Sequence, residues 1–310
     1  MRLASLYIRT IIFLCISFVS TYANEDPLKI ISPNDNRLQN ELTLNVVIQT
    51  YKKNFDAIKI TTPKGHVDVD LDGNKSTHCK NVSLRLGENR ITIRSYKNSV
   101  MLDEKIRRVY VTSELYHQYR YPDKKYVKSY FHNEKNEKLC VTCHDMSVNE
   151  VEGVAFIDVT ESNCYQCHKN LTKEKYAHAP AVNYLCTSCH KINSKEEGHK
   201  YLIQEHVGES CFECHEENQK LWDAAKYRHE PLDSGNCNKC HNPHSSPYNM
   251  FLRKPVNKIC MGCHKDKHTR AIKDKNSACG NSDRKLCIKC HTPHATNQPF
   301  FLKKILKEKR

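Results

Sequence analysis

Cys140-Val-Thr-Cys143-His144, Cys164-Tyr-Gln-Cys167-His168, Cys186-Thr-Ser-Cys189-His190, Cys211-Phe-Glu-Cys214-His215, Cys237-Asn-Lys-Cys240-His241, Cys260-Met-Gly-Cys263-His264 and Cys287-Ile-Lys-Cys290-His291 are one pattern written seven times. We number these stretches motifs 1 to 7. They absorb all but three of the 17 cysteines, leaving Cys15, Cys79 and Cys279. Residues i, i+3 and i+4 share one face of a helical turn, so each motif presents two thiols and an imidazole together.

That trio is the attachment site of a c-type haem. The thiols reach the two vinyl groups of one porphyrin, and the adjacent imidazole sits under the iron as proximal ligand. Zinc would need two pairs converging and does not demand a His after every second Cys. A redox dithiol would be single and set in a βαβ pattern. A disulfide scaffold leaves the seven histidines unexplained. The reading is therefore seven covalent haems, with His144, His168, His190, His215, His241, His264 and His291 proximal.

Alternate motifs recur every 46 to 51 residues, so the repeating unit holds two haems. Tyr130-Phe-His132, Tyr176-Ala-His178 and Tyr227-Arg-His229 each place a His eight residues before an odd-numbered motif. His241-Asn-Pro-His244 and His291-Thr-Pro-His294 are copies, as are Phe251-Leu-Arg-Lys254 and Phe301-Leu-Lys-Lys304. Over residues 130–304 the chain resembles the doubled-CXXCH multihaem cytochromes, a cytochrome c3-like group. The resemblance implies a haem-filled, mostly irregular and helical domain that carries electrons, often for respiration outside the cytoplasmic membrane. The first unit departs from the pattern, because Asp145-Met146 follow His144 and no His occurs before Cys164.

The chain has 18 His. Candidates for the sixth, distal ligands are His132, His178, His229 and His268 between units, and His199, His244 and His294 within them. His206 and His117 are spares. His66 and His78 read as ordinary residues of the first half, and Met146 as packing. Enough imidazole for every iron favours six-coordinate haem, with no open position for a substrate. Ligation by His on both faces gives lower potentials than His/Met.

Before the motifs the pattern changes. Leu44, Val46 and Ile48 alternate with polar residues, as do Ile58 and Ile60, then Val67, Val69 and Leu71. Val82, Leu84, Leu86, Ile91, Ile93, Ile106, Val109 and Val111 continue the series. Turn signals at Ser32-Pro33-Asn34-Asp35, Pro63-Lys64-Gly65, Asp72-Gly73-Asn74 and Gly87-Glu88-Asn89 divide it. About seven strands in this span suit a small antiparallel, immunoglobulin-like β-sandwich. Asp68-Val-Asp70-Leu-Asp72-Gly73 imitates an EF-hand loop, but position twelve is Cys79, so a hairpin turn is the better reading.

The organisation expected is thus α+β: a signal peptide at 1–23, the sandwich at 24–112, a tyrosine-rich linker at 113–138, and the seven-haem domain at 139–310. Arg2 and Arg9 flank a short apolar run, and Thr21-Tyr22-Ala23 offers a cleavage site, so Cys15 is expected to leave with the leader. No span is expected in the mature chain. Export places the protein in the periplasm or at the cell surface, where Cys79 and Cys279 pair or stay free.

Hydrophobic residues are 38% of the chain, too few for an ordinary core at this length. The porphyrins supply the missing interior, and the haem-free second half is expected to be disordered. The charge of +14 suggests nucleic acid, but seven haems with two propionates each account for it, and no aromatic-basic motif appears. The function expected is an exported electron carrier, not an enzyme, working along closely spaced haems with other cytochromes or terminal acceptors as redox partners. The alternatives are a reductase with one open haem site and a subunit of an extracellular filament, in which a His donated across subunits makes a homo-oligomer.

Overall fold

The computed structural model describes residues 27–51, 55–71, 76–151, 153–193, 200–203, 206–264 and 287–303. The leader at 1–23, Cys15, His199, His268 and Cys279 lie outside these residues.

Residues 28–111 form eight strands: β1 (Leu28–Ser32), β2 (Arg37–Gln39), β3 (Thr43–Thr50), β4 (Ala57–Thr62), β5 (Gly65–Val69), β6 (Thr77–Ser83), β7 (Gly87–Lys97) and β8 (Val100–Val111). A ninth, β9 (Val127–Lys128), comes from the connector. Strands β1, β3 and β6 make one antiparallel sheet in the order β1-β3-β6. The second sheet runs β5-β4-β7-β8-β2-β9.

Alternation along each strand sends every second side chain inward. Leu28, Ile30, Leu44, Val46, Ile48 and Val82 from the first sheet meet Ile58, Ile60, Val69, Ile91, Ile93, Val109 and Val111 from the second in one cluster. Each such side chain contributes about 1.5–3 kcal/mol. The β7–β8 hairpin closes through Asn98 and Ser99, both at positive φ, a geometry that follows the strand twist. Fully buried Asn89 ties the preceding turn: its amide donates to the Arg85 and Gly87 carbonyls, and its oxygen accepts from Arg85 N–H.

Two features differ from a purely antiparallel arrangement. Strand β2 lies parallel to β8 and to β9. The tyrosine-rich connector is also packed against this region: Leu115 and Tyr126 are buried, and the Tyr126 hydroxyl donates to Glu88. Tyr119 lies over Gly87, where a Cβ would stand 3.0 Å from its ring and φ is +83°.

Among the described residues beyond 133 the chain is short helices and single turns, the longest being Glu216–Asp223. Small two-residue ladders stitch it together, Tyr176–Ala177 with Ser245–Ser246 and Tyr227–Arg228 with Ala295–Thr296. Among the described residues after Tyr126, only Tyr184, Leu232 and Ala295 are buried hydrophobics. No described helix is long and apolar enough to cross a membrane.

Candidate haem-binding site

All seven motifs adopt the same turn. The His N–H donates to the carbonyl of the first Cys at 2.9 Å in motifs 1, 3 and 6, and at 3.0 Å in motifs 2, 4, 5 and 7. This is one i→i+4 helical bond per motif. It brings both sulfurs and the imidazole to one side, whatever the two intervening residues are.

The histidines then meet in pairs. His132 faces His168 at 5.9 Å between ring centroids, and His178 faces His215 at 6.2 Å. His229 faces His264 at 5.8 Å. His190 and His244 lie 6.2 Å apart at an interplanar angle of 11°, and His241 and His294 lie 6.0 Å apart at 18°. Each pair joins one histidine of a motif to one outside any motif. Two metal–imidazole bonds of about 2 Å each put ring centroids about 6 Å apart, so the gap fits an iron between axial ligands.

Electrostatics suit ligation. Burial, with His132, His244 and His190 nearby, pulls His168 down to about 4. Burial does the same to His190, beside His244 and His132, and to His294, beside His241 and His229, again to about 4. His178, His229 and His244 are also lowered, chiefly by burial. Neutral imidazole is the form that binds metal. The buried Nδ1 of His244 has no hydrogen-bond partner in the polypeptide, consistent with a site built for a non-protein group.

The ring orientations are set by backbone acceptors. His178 Nδ1 donates to the Pro243 carbonyl at 3.1 Å, and His229 hydrogen-bonds the Pro293 backbone. His241 Nδ1 donates to the Met250 carbonyl at 2.7 Å, and His291 Nδ1 to that of Phe300 at 2.9 Å. Met250, Phe251, Phe300 and Phe301 all sit at φ between 55° and 59°, unusual for such residues, and this aims the carbonyls inward. Phe251 packs on His178 and Phe301 on His229. Sequence reasoning noted these phenylalanines as copies without giving them a role. It also missed Glu137, which accepts from His132 Nδ1 at 2.9 Å.

The remaining candidates fall elsewhere. His144 is exposed, and no described histidine ring stacks on it. His206 stands at the N-cap position of the helix Val207–Phe212 without a capping side-chain hydrogen bond, and His117 is exposed beside Tyr121. His78 is buried on β6, 3.4 Å from the Thr50 hydroxyl. The Cys79 thiol hydrogen-bonds Cys167, and Asn45 donates to the Cys167 carbonyl at 2.9 Å, so β3 and β6 meet the protein at motif 2. Cys79 is thus placed beside Cys167, a neighbour the sequence did not suggest.

The doubled CXXCH motif family matches residues 178–220 and 229–269. Multiheme cytochrome MtrA of Shewanella baltica (strain OS185) is 30% identical over 111 residues, 34% of this chain and 32% of the relative. The chain therefore spans about a third of that relative's length. Among solved structures, the fibronectin(III)-like modules of Clostridium thermocellum CbhA are 9% identical with a TM-score of 0.23, over 27% of this chain and 94% of that one. A Cellulomonas fimi endo-beta-1,4-mannanase double mutant is 13% identical with a TM-score of 0.20, over 26% and 17%. Likeness at those TM-scores carries no argument about fold.

Proposed function

We propose that this chain is a doubled-CXXCH multihaem c-type cytochrome that holds seven covalent haems and passes electrons along them outside the cytoplasm, a reading supported by the matches to the doubled CXXCH motif family and to a multiheme cytochrome. The observation that carries this reading is the set of five histidine pairs with centroids 5.8–6.2 Å apart. Haem supplies one-electron oxidation and reduction when bound.

The fourteen motif cysteines form the thioether links: Cys140 and Cys143, Cys164 and Cys167, Cys186 and Cys189, Cys211 and Cys214, Cys237 and Cys240, Cys260 and Cys263, Cys287 and Cys290. The paired rings would hold the irons of motifs 2 to 6. His199 and His268, outside the described residues, are the distal candidates left for motifs 1 and 7. With both faces filled by imidazole, the chain has no means of binding a substrate at those irons, which makes it a carrier rather than an enzyme. The two N-terminal sheets form a sandwich that docks or spaces the haem array, and the leader sends the chain to the periplasm or the cell surface.

Motif 1 favours a second reading. His144 is exposed and its partner is not among the described histidines. An open iron there gives a reductase, and a His from a second copy gives a filament.

Intact-mass analysis of protein from a host competent in haem attachment tests the proposal. Seven haem increments are expected, and a smaller number overturns the count. Electron paramagnetic resonance of the same sample separates the readings. Wholly low-spin iron supports the carrier, and a high-spin signal supports an open site. Size measurement identifies a filament.

A further inference from the structure

The first repeat differs from the later ones in what holds its inter-unit histidine. His178 donates from Nδ1 to the Pro243 carbonyl and His229 hydrogen-bonds the Pro293 backbone, both prolines belonging to the His-x-Pro-His copies. Motif 3 lacks that extension. Lys191-Ile192-Asn193 follow His190 and open a small hairpin, with Lys191–Ile192 paired to Tyr201–Leu202. No proline carbonyl is therefore delivered to His132.

A carboxylate takes its place. Glu137 is buried, at 8% exposure, in the turn that leads into motif 1. One oxygen accepts from His132 Nδ1 at 2.9 Å, and the other from Lys200 Nζ at 2.8 Å. The hairpin brings Lys200 there, and its backbone N–H also donates to the His132 carbonyl at 3.1 Å. Asn133 caps the Glu137 turn, and Tyr201 packs edge-on to the His132 ring at 5.0 Å. Five residues after His178 and His229 stand Asn183 and Ser234, so the carboxylate is not repeated at these matched positions.

An anionic acceptor on the outer nitrogen of a ligating imidazole raises the basicity of the inner one. A more basic axial ligand stabilises ferric over ferrous iron, and hydrogen bonds to ligands are a lever on haem potential. We propose that Glu137 is a positioning residue for the distal ligand of the motif 2 haem, and that its carboxylate on His132 lowers that haem's reduction potential. Lys200 opposes it by sharing the carboxylate's charge. The electron chain then has one step set by a side chain where the later repeats use main chain. This rests on the proposed His132–His168 ligation.

The test is a potentiometric titration of the holoprotein, followed by electron paramagnetic resonance. In Glu137→Gln, one haem of seven is expected to become easier to reduce by tenfold or more in its ferrous-to-ferric ratio at fixed poise, about 59 mV for one electron. Its g-values should move with it, and Glu137→Asp should restore part of the shift. Lys200→Met leaves the carboxylate in place and should move the same haem the opposite way; it decides the matter if Glu137→Gln does not mature. Unmoved potentials, or all haems shifting together, overturn the inference while leaving the haem reading intact. A wild-type protein without seven haems, or without low-spin iron at motif 2, overturns the reading instead.

Discussion

His244 follows motif 5 in sequence but stacks on His190 of motif 3, with centroids 6.2 Å apart and planes 11° from parallel. His294, after motif 7, stands in the same relation to His241 of motif 5. The second histidine of each His-x-Pro-His copy therefore reaches back across one unit. The inter-unit histidines reach forward instead, His178 to motif 4 and His229 to motif 6. Each repeat thereby meets its neighbour through its own histidines. Cys279, eight residues before Cys287, stands in sequence where earlier repeats have a His.

Replacing His244 should consequently alter the haem of motif 3, not that of motif 5. His244→Ala is expected to convert one haem in seven from low to high spin and to let that iron bind carbon monoxide. His244→Met should keep it low-spin and raise its potential. Electron paramagnetic resonance and a redox titration check both; loss of the signal assigned to motif 5 would contradict the pairing.

Gly262 marks a close contact between motif 6 and the connector. A Cβ there would lie 2.6 Å from the Leu115 carbonyl oxygen and 3.1 Å from that of Ile259, both backbone atoms that cannot swing aside. Gly262→Ala should cost about 1–3 kcal/mol, as overpacking does. Chemical denaturation of the holoprotein would show it, with haem content unchanged by mass.

The motif turns and the long strands were legible because each depends on local spacing. Three residues at i, i+3 and i+4, two Cys and a His, dictate one turn, and the alternation of Ile91, Thr92 and Ile93 dictates a half-buried strand. The histidine partners were legible only as a set, since which ring meets which depends on the path of the backbone between repeats. Strands of three and two residues, β2 and β9, are too short to carry a period. Met250 and Phe300 give no hint of positive φ, because that conformation is imposed by the folded surroundings. Glu137 stands out only when its register is set beside Asn183 and Ser234.

Lys254, beside the contact between the connector and motif 6, offers a pH test. Its amine lies over the Tyr116 ring and donates to the Leu115 carbonyl at 3.2 Å, and burial lowers its pKa to about 8. An unfolded lysine titrates near about 10.4. Below pH 8 both states are charged, and the fold carries the full penalty of a buried cation. Between about pH 8 and 10.4 the native state has released its proton and the unfolded state has not, so stability rises with pH there and then levels. Denaturation midpoints across pH 7–10.5 should show this rise, and Lys254→Met should flatten it.

The uneven distribution of buried side chains predicts how the two halves fare without haem. The hydrophobic cluster lies wholly within residues 28–111, whereas the repeats bury only Tyr184, Leu232 and Ala295 among the described hydrophobics. Three side chains at about 1.5–3 kcal/mol each cannot offset the ordering of so long a segment, at about 1–2 kcal/mol per residue for backbone alone. A protein with all fourteen motif cysteines changed to Ser should therefore keep a β-type circular dichroism spectrum with a cooperative melt and lose the helical signal. Ile93, fully buried in β7, supports that melt; Ile93→Ala should lower its stability by about 2–5 kcal/mol. In the haem-loaded chain the same substitution should leave the haem potentials where they were, because the cluster is built from residues 28–111 and includes none of the paired histidines. Native-like helix in the haem-free protein would mean that the polypeptide, not the porphyrin, shapes the second half.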